Sequence, residues 1–385
     1  MRDKTVLILG GDGYLGWPSA MHFAAHGYNV AVVDNYLRRD ICRQENVKPL
    51  FPVPRLDERT KHWNRWSTGS IRAYIGDLQD WEFTESVFRD FLPEIVVHYA
   101  EQPSAPYSMV NRRTASLTLR NNLMGTANVV FAVRKYCRNA HIIKLGTMGE
   151  YGTPNIDIEE GWIEIHHKGR KDRFLFPRQA GSLYHTTKIM DTDLLWFYVR
   201  TWDLRVTDLM QGPVYGIFTD ETGANPDLMS FLNYDEIFGT VINRFVVQAV
   251  AGFPLTVYGQ GGQTRGYINL IDTLNCVRLA AESPPARGEL RILNQVTETF
   301  TVNELAEKVK GAARQLGIEV TVRSVENPRI ERESHYYNPA YSGFKDLGLD
   351  PTFLTNDVLT QFIEFVLRFK GNILERQIVR NVSWK

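Results

Sequence analysis

The sequence predicts an α/β protein: a doubly wound parallel sheet with a smaller C-terminal α/β substrate-binding lobe beside it. Three observations carry that expectation. Apolar strand-like runs alternate with helix-length stretches as far as Gly146. A glycine-rich turn, Gly10-Gly11-Asp12-Gly13-Tyr14-Leu15-Gly16, joins the first apolar run to the first helix. Beyond Gly146 the rhythm changes to short strands and scattered helices.

In chain order, residues 6–9 (VLIL) are apolar without a break, as in a parallel strand covered on both faces. A helix is expected over 14–25, then strands at 30–33 and 71–75. A helix near 82–91 leads to a strand at 95–99. A long helix over about 114–137 precedes a strand at 141–146. Residues 35–70, with Pro49, Pro52 and Pro54, form an unusually long connection, read as a lid or a dimer element. Residues 162–166 and 173–176 alternate around Lys168-Gly169-Arg170, which predicts a hairpin. A helix over 182–201 follows, and a strand at 206–210 is expected to rejoin the main sheet. Further helices are expected near 234–251, 272–281, 302–316 and 357–369. Residues 1–210 should form mainly the sheet domain and 211–385 mainly the second lobe, with some segments interleaved.

At 43% hydrophobic and 23% charged, the 385-residue chain has an ordinary globular composition. Basic and acidic residues balance at 44 each, which argues against a nucleic-acid partner or an anionic membrane surface. Cys42, Cys137 and Cys276 match no metal-ligand spacing, so no metal is expected. No apolar run reaches the roughly 20 residues of a membrane span. The chain runs into its first strand without a signal-like segment, so a cytoplasmic location is expected.

The glycine turn satisfies G-x-x-G-x-x-G through Gly10, Gly13 and Gly16, with Tyr14 and Leu15 inside it. Glycines there permit a tight turn and close backbone approach to a pyrophosphate, and the helix N-terminus offers amide donors. This is a Rossmann-type signal. Asp34 ends the second strand, placed to bond a ribose 2′-hydroxyl and to repel a 2′-phosphate, so the cofactor is expected to be NAD. Asn35 adjoins it; Arg38 and Arg39 follow and work against that preference. Asp77, followed by Leu78 after the third strand, either accepts from the adenine amine or caps a turn. Tyr99 ends the fourth strand, in the crevice where such sheets bind ligands.

Thr147 closes the fifth strand, and Tyr184 and Lys188 stand four apart on the next long helix. Positions i and i+4 share a face, so the Lys188 ammonium is expected to lower the Tyr184 pKa and make it a general base for a sugar or alcohol hydroxyl. The Thr147 hydroxyl would bond the same oxygen. A tyrosine–lysine pair on a helix is by itself an ordinary surface pair. The order glycine loop, threonine, tyrosine, lysine is what makes it a redox site.

These residues resemble the extended short-chain dehydrogenase/reductase family, and within it the branch that joins sulfite to UDP-glucose. The longer strings carry the resemblance: Glu101-Gln102 with SAPYSM at 104–109, KLGTMGEYGTPNIDIEE at 144–160, GQGGQTRGY at 259–267, NPR at 327–329, HYYN at 335–338 and VSWK at 382–385. It implies a homodimer paired through the long helices near 114–137 and 182–201. It also implies one NAD held through a cycle of C4 oxidation, loss of water across C5 and C6, sulfite addition at C6 and C4 re-reduction. Arg244, Arg265 and Arg329 would hold the diphosphate, with Thr256 and Tyr258 along the uracil and Gln102, Tyr107, Gln211 and Gln263 among the further substrate contacts.

Dehydratases of this fold commonly carry Asp-Glu directly after the triad threonine. Here Met148 and Gly149 stand there. His185, with Glu150 or Glu101 contributing, is then the candidate for elimination; the other reading of His185 is helix packing. Pro103 replaces a basic residue of the better-known synthases, which leaves the sulfur donor, free sulfite or sulfite from a partner protein, open. A 4-epimerase or 4,6-dehydratase, or a non-catalytic NAD-binding regulator, remain the competing readings.

Overall fold

The computed structural model describes residues 4–329 and 335–378. The string at 382–385 lies outside the described residues. Seven parallel strands make the main sheet: β1 (Thr5–Leu9), β2 (Asn29–Asp34), β3 (Ile71–Ile75), β4 (Ile95–His98), β5 (His141–Thr147), β6 (Arg205–Gln211) and β7 (Glu289–Gln295). Their order is β7-β6-β5-β4-β1-β2-β3. Alternate side chains feed two separate cores, because successive residues of a strand point to opposite faces. Val6 and Ile8 join one core with Val30 and Val32. Leu7 and Leu9 join the other with Ala31 and Val33. A continuous apolar run is what such a doubly covered strand requires.

Three helices position the site: α1 (Gly16–Ala25), α2 (Arg112–Tyr136) and α3 (Leu183–Trp202). Asn111 caps α2, accepting from Arg113 and Thr114 amides. Ser182 caps α3, accepting from the His185 amide. The hairpin forms as expected, Trp162–His167 against Arg170–Leu175. Lys168 and Gly169 both adopt positive φ at its tip (48° and 76°), the geometry of a two-residue hairpin turn.

Three local expectations differ from the structure. The 35–70 connection contains helices Leu37–Gln44 and Leu56–Trp66, with the prolines between them. The second helix is anchored because it buries Leu56, Arg59, Thr60 and Trp63. The helix expected from 234 starts only at Val241. Asp235 accepts from the amides of Ile237 (2.9 Å) and Phe238 (3.0 Å), which fixes a turn there instead. Finally, β7 joins the main sheet from the distal half of the chain. Its polar Arg291, Asn294 and Gln295 hide it from a reading based on apolar runs. The second lobe buries helices Val241–Ala251, Val302–Gln315 and Asn356–Leu367 around a core of its own.

Candidate active site

A cleft of about 660 Å³ opens at the C-terminal ends of the main-sheet strands and runs toward the second lobe. Gly10, Gly13, Tyr14, Leu15 and Gly16 line one end. Gly10 has φ +86°, and its amide and that of Gly11 donate to the Val33 carbonyl (2.8 and 2.9 Å). A Cβ at residue 16 would sit 2.0 Å from the Gly10 carbonyl oxygen, so only glycine lets helix and loop close on each other. The result is a bare backbone cradle at a helix N-terminus, which suits a dinucleotide pyrophosphate.

Asp34 and Asn35 border this cradle. The Asp34 carboxylate accepts from the amides of Asp12 (2.9 Å) and Tyr36 (2.6 Å). Burial, then the nearby Asp12 charge, push its pKa up to about 6. Asp12 is itself held by Arg39 and Arg59, each at 2.6 Å. Arg59 is wholly buried, with its guanidinium 4.8 Å over the Trp17 ring. The 35–70 connection therefore reaches back to brace the glycine loop. Arg38 lines the cleft, stacked 4.3 Å over Phe238 and donating to Asn233 (2.9 Å). Asp77 accepts from the Gln79 amide (2.8 Å), so it caps a turn while also lining the cleft with Leu78. Tyr99 lines the cleft as well, its hydroxyl 3.1 Å from Ser19 Oγ. Tyr14 donates to the Gly216 carbonyl (2.5 Å), tying the loop to the second lobe.

Thr147 and Tyr184 both line the cleft, and Lys188 is buried behind its wall. Thr147 ends β5 and accepts from the Gly149 amide (3.1 Å), leaving its hydroxyl proton to donate. Tyr184, in the first turn of α3, packs on Ala105 and takes its amide to Ser108 Oγ (3.1 Å). Lys188 lies one turn on, its Nζ 5.9 Å from the centre of the Tyr184 ring. That ammonium is not devoted to the phenol, however. It pairs with Glu101 and donates to the Leu145 carbonyl. The Tyr184 hydroxyl is consequently held well above the usual tyrosine range, by burial first and by the Glu101 charge second. This is the reverse of the lowering that the i, i+4 spacing alone suggests.

His185 also faces the cleft, with Nδ1 3.0 Å from Ser182 Oγ. Its ring fills the space beside Gly149: a Cβ at 149 would lie 2.4 Å from His185 Nε2. The imidazole thus stands where a side chain two residues after the triad threonine would project. Burial, then the charges of Arg329 and Arg265, push its pKa down to about 3, so it is neutral at rest. Met148 walls the cleft, nearly buried. Glu150 is placed elsewhere. It is fully buried, with its oxygens on Arg178 (2.8 Å), the Thr147 amide (3.1 Å) and Lys144 (3.4 Å), and it does not border the cleft. The expectation that it assists elimination does not fit that geometry.

At the far end the cleft is lined by Gln211, Arg244, Thr256, Tyr258, Gln263, Arg265 and Arg329. Arg244 donates to Tyr258 Oη (2.9 Å), Gln211 to Gln295 (2.9 Å), and Gln248 to Thr256 (2.8 Å). Arg265 Nη1 lies 2.8 Å from His335 Nε2. Two expected substrate residues are absent from the wall. Gln102 is wholly buried, bridging Ser104 and Thr118. Tyr107 packs inward among Ile41, Ile237 and Leu117. Both shape the loop after β4 rather than face the cleft. Glu236, which accepts from the Tyr258 hydroxyl, lines the cleft without having been anticipated. It sits in an irregular segment that carries no periodic or motif signal.

A model of the NAD dependent epimerase/dehydratase family matches residues 6–294. The chain is 46% identical to the chloroplastic UDP-sulfoquinovose synthase of Spinacia oleracea, over 99% of this chain and 79% of that protein. It is 41% identical to the UDP-sulfoquinovose synthase of Sulfolobus acidocaldarius, over 99% and 97% respectively. Among solved structures, UDP-glucose 4-epimerase from Thermotoga maritima, bound to UDP-glucose, superposes with a TM-score of 0.70 at 21% identity, covering 94% of this chain and 99% of that one. The chain therefore belongs to the NAD dependent epimerase/dehydratase family and, within it, to the UDP-sulfoquinovose synthases.

Proposed function

We propose that the chain converts UDP-glucose and sulfite to UDP-sulfoquinovose on one bound NAD. The observation that carries this reading is His185 occupying the space beside Gly149, where the dehydratase pattern would place a carboxylate, in a chain 46% and 41% identical to two such synthases. The cradle of Gly10 to Gly16 would hold NAD, with Asp34 available to accept from a ribose hydroxyl, and the bound cofactor would supply the acceptor and later the donor of the C4 hydrogen. Tyr184 takes the C4 hydroxyl proton while Thr147 bonds the same oxygen. The 4-keto group acidifies C5. His185 removes the C5 proton and hands it to the departing C6 hydroxyl, releasing water and leaving an enone. Hydrogen sulfite then adds across the enone, its sulfur bonding C6 and its proton passing through His185 to C5, and C4 is reduced again with Tyr184 returning its proton.

Arg244, Arg265 and Arg329 offer planar donors for the diphosphate. Burial depresses His185 first and the Arg329 and Arg265 charges second; a bound diphosphate would cancel the second part, easing uptake of the C5 proton and linking nucleotide binding to the elimination step. Pro103 puts no charge on the cleft wall, and sulfite handed over by a partner protein would compensate for that. Dimerisation through α2 and α3 is supported by Met124, Phe131, Met190 and Phe197, all large apolar residues exposed on those helices. Light scattering at two protein concentrations tests it.

The deciding experiment incubates pure protein with UDP-glucose and sulfite and reads products by mass spectrometry. A sulfonated nucleotide sugar is expected. UDP-galactose, or a stable 4-keto-6-deoxy sugar, would instead make the chain an epimerase or dehydratase.

A further inference from the structure

Behind the cleft lies a sealed set of charges. Lys144, from β5, reaches Glu150 and Asp208, both at 3.4 Å. Arg178 holds the other Glu150 oxygen. Lys188 pairs with Glu101. Asp191, on the same helix as Lys188, is wholly buried and has no cation of its own among the described residues. Four carboxylates thus face three cations, and none of these side chains is more than 5% exposed. A lone buried charge is costly, so the set retains one proton. Asp191, whose pKa burial and then Glu101 push well above the usual carboxylate range, is where it rests.

Glu101 is the member of this set that borders the cleft. Its carboxylate does two things to Tyr184. It occupies the Lys188 ammonium, and its own charge opposes a phenolate. Both effects vanish if Glu101 gains a proton. We propose that Glu101 is the proton acceptor that arms Tyr184: the phenol proton passes to Lys188 as Lys188 gives one of its own to Glu101. The exchange converts Tyr–OH and a carboxylate into phenolate and a carboxylic acid, with Lys188 an ammonium before and after. This rests on the redox role proposed for Tyr184. Tyr184 then takes the C4 hydroxyl proton. On re-reduction it returns that proton and recovers its own from Glu101, so no proton is exchanged with water. The neighbouring groups pull in both directions. Asp191 on α3 faces Glu101 as the neutral acid, and Glu150 after β5 opposes a phenolate. Lys144 on β5 sustains a phenolate. His98, beneath on β4, is kept neutral by burial, then Lys188 and Lys144, and offers no competing charge.

Glu101→Gln tests this in the NAD-bound enzyme. The amide mimics the protonated acid permanently and frees Lys188 for the phenol. Tyrosinate absorbance near ~295 nm, with the matching Tyr184→Phe protein subtracted, reports residue 184 without any turnover. The titration is expected to move at least about one pH unit lower than in the wild type, since an opposite charge released nearby shifts a pKa by about 1–3 units. Glu101→Asp, which retracts the carboxylate from Lys188 by one methylene, is expected to move it the same way by less, and it serves if the glutamine variant does not fold. Unchanged titrations, or shifts to higher pH, overturn the proposal. A downward shift in a protein that never oxidises UDP-glucose would uphold the proton exchange while sinking the proposed function.

Discussion

Gly149→Ala is the sharpest probe of His185. No positive φ forbids alanine at this position, so the substitution acts through space alone. The new Cβ would lie 2.4, 2.6 and 2.8 Å from Nε2, Cδ2 and Cε1 of His185. Ordinary carbon contacts are about 3.5–4.0 Å, so the ring must swing away by roughly 1 Å. It gives up the 3.0 Å contact to Ser182, worth about 1 kcal/mol, and leaves its preferred rotamer at a cost of about 0.5–1.5 kcal/mol. A destabilisation of about 2 kcal/mol is expected, and thermal melts measure it. The chemistry should suffer more. Misplacing a general acid/base costs about 10²–10⁴-fold. Formation of sulfonated product should fall by that factor, while C4 oxidation, followed as absorbance at ~340 nm after rapid mixing, should stay within about threefold of wild type. His185→Ala should behave alike, and the double variant should be no slower than either single one, because both remove the same group. Wild-type product formation by Gly149→Ala, or multiplicative losses in the double variant, would refute the role given to this imidazole.

Three further outcomes follow from the geometry. Arg265→Ala or Arg329→Ala should raise the KM for the UDP-sugar about 10–100-fold, the loss of one charge-assisted contact, with retention of bound NAD unaltered in equilibrium dialysis. Arg59→Met should leave Asp12 buried beside one cation instead of two; NAD dissociation, measured by dilution, should accelerate at least about tenfold as the brace on the glycine loop weakens. His98 and His141 have folded pKa values pushed down to about 3 by burial, below the unfolded value of about 6.5. Their contribution to stability is therefore present above pH 6.5 and is lost as the pH falls from there toward 3. Melting temperature should fall across that window, and His98→Asn should flatten the slope.

Much of this was legible in the chain, and the rest was hidden for physical reasons. The runs at 6–9, 30–33 and 95–97 announce doubly covered strands because both faces of each must be apolar. Gly10 and Gly16 announce a cradle because nothing larger fits. The spacing of Tyr184 and Lys188 places them on one helix face, yet it cannot reveal Glu101, far away in sequence, which claims the lysine. For the same reason Arg59 looks like one more polar helix residue until the fold sets it against Asp12. Gln102 and Tyr107 belong to a shared string whose purpose turns out to be loop shape, since a string shows that residues matter without showing which way they point.

The placement of β7 bears on how the molecule is made. Its partner β6 is finished when residue 211 leaves the ribosome, but the strand that covers β6 arrives only with residues 289–295. At roughly 5–20 residues per second, the nascent chain spends several seconds with an unpaired parallel edge, a time in which chaperones are needed. A fragment cut after 211 would carry the glycine cradle and the triad and would still be expected to aggregate, so this enzyme should resist splitting into a cofactor half and a sugar half.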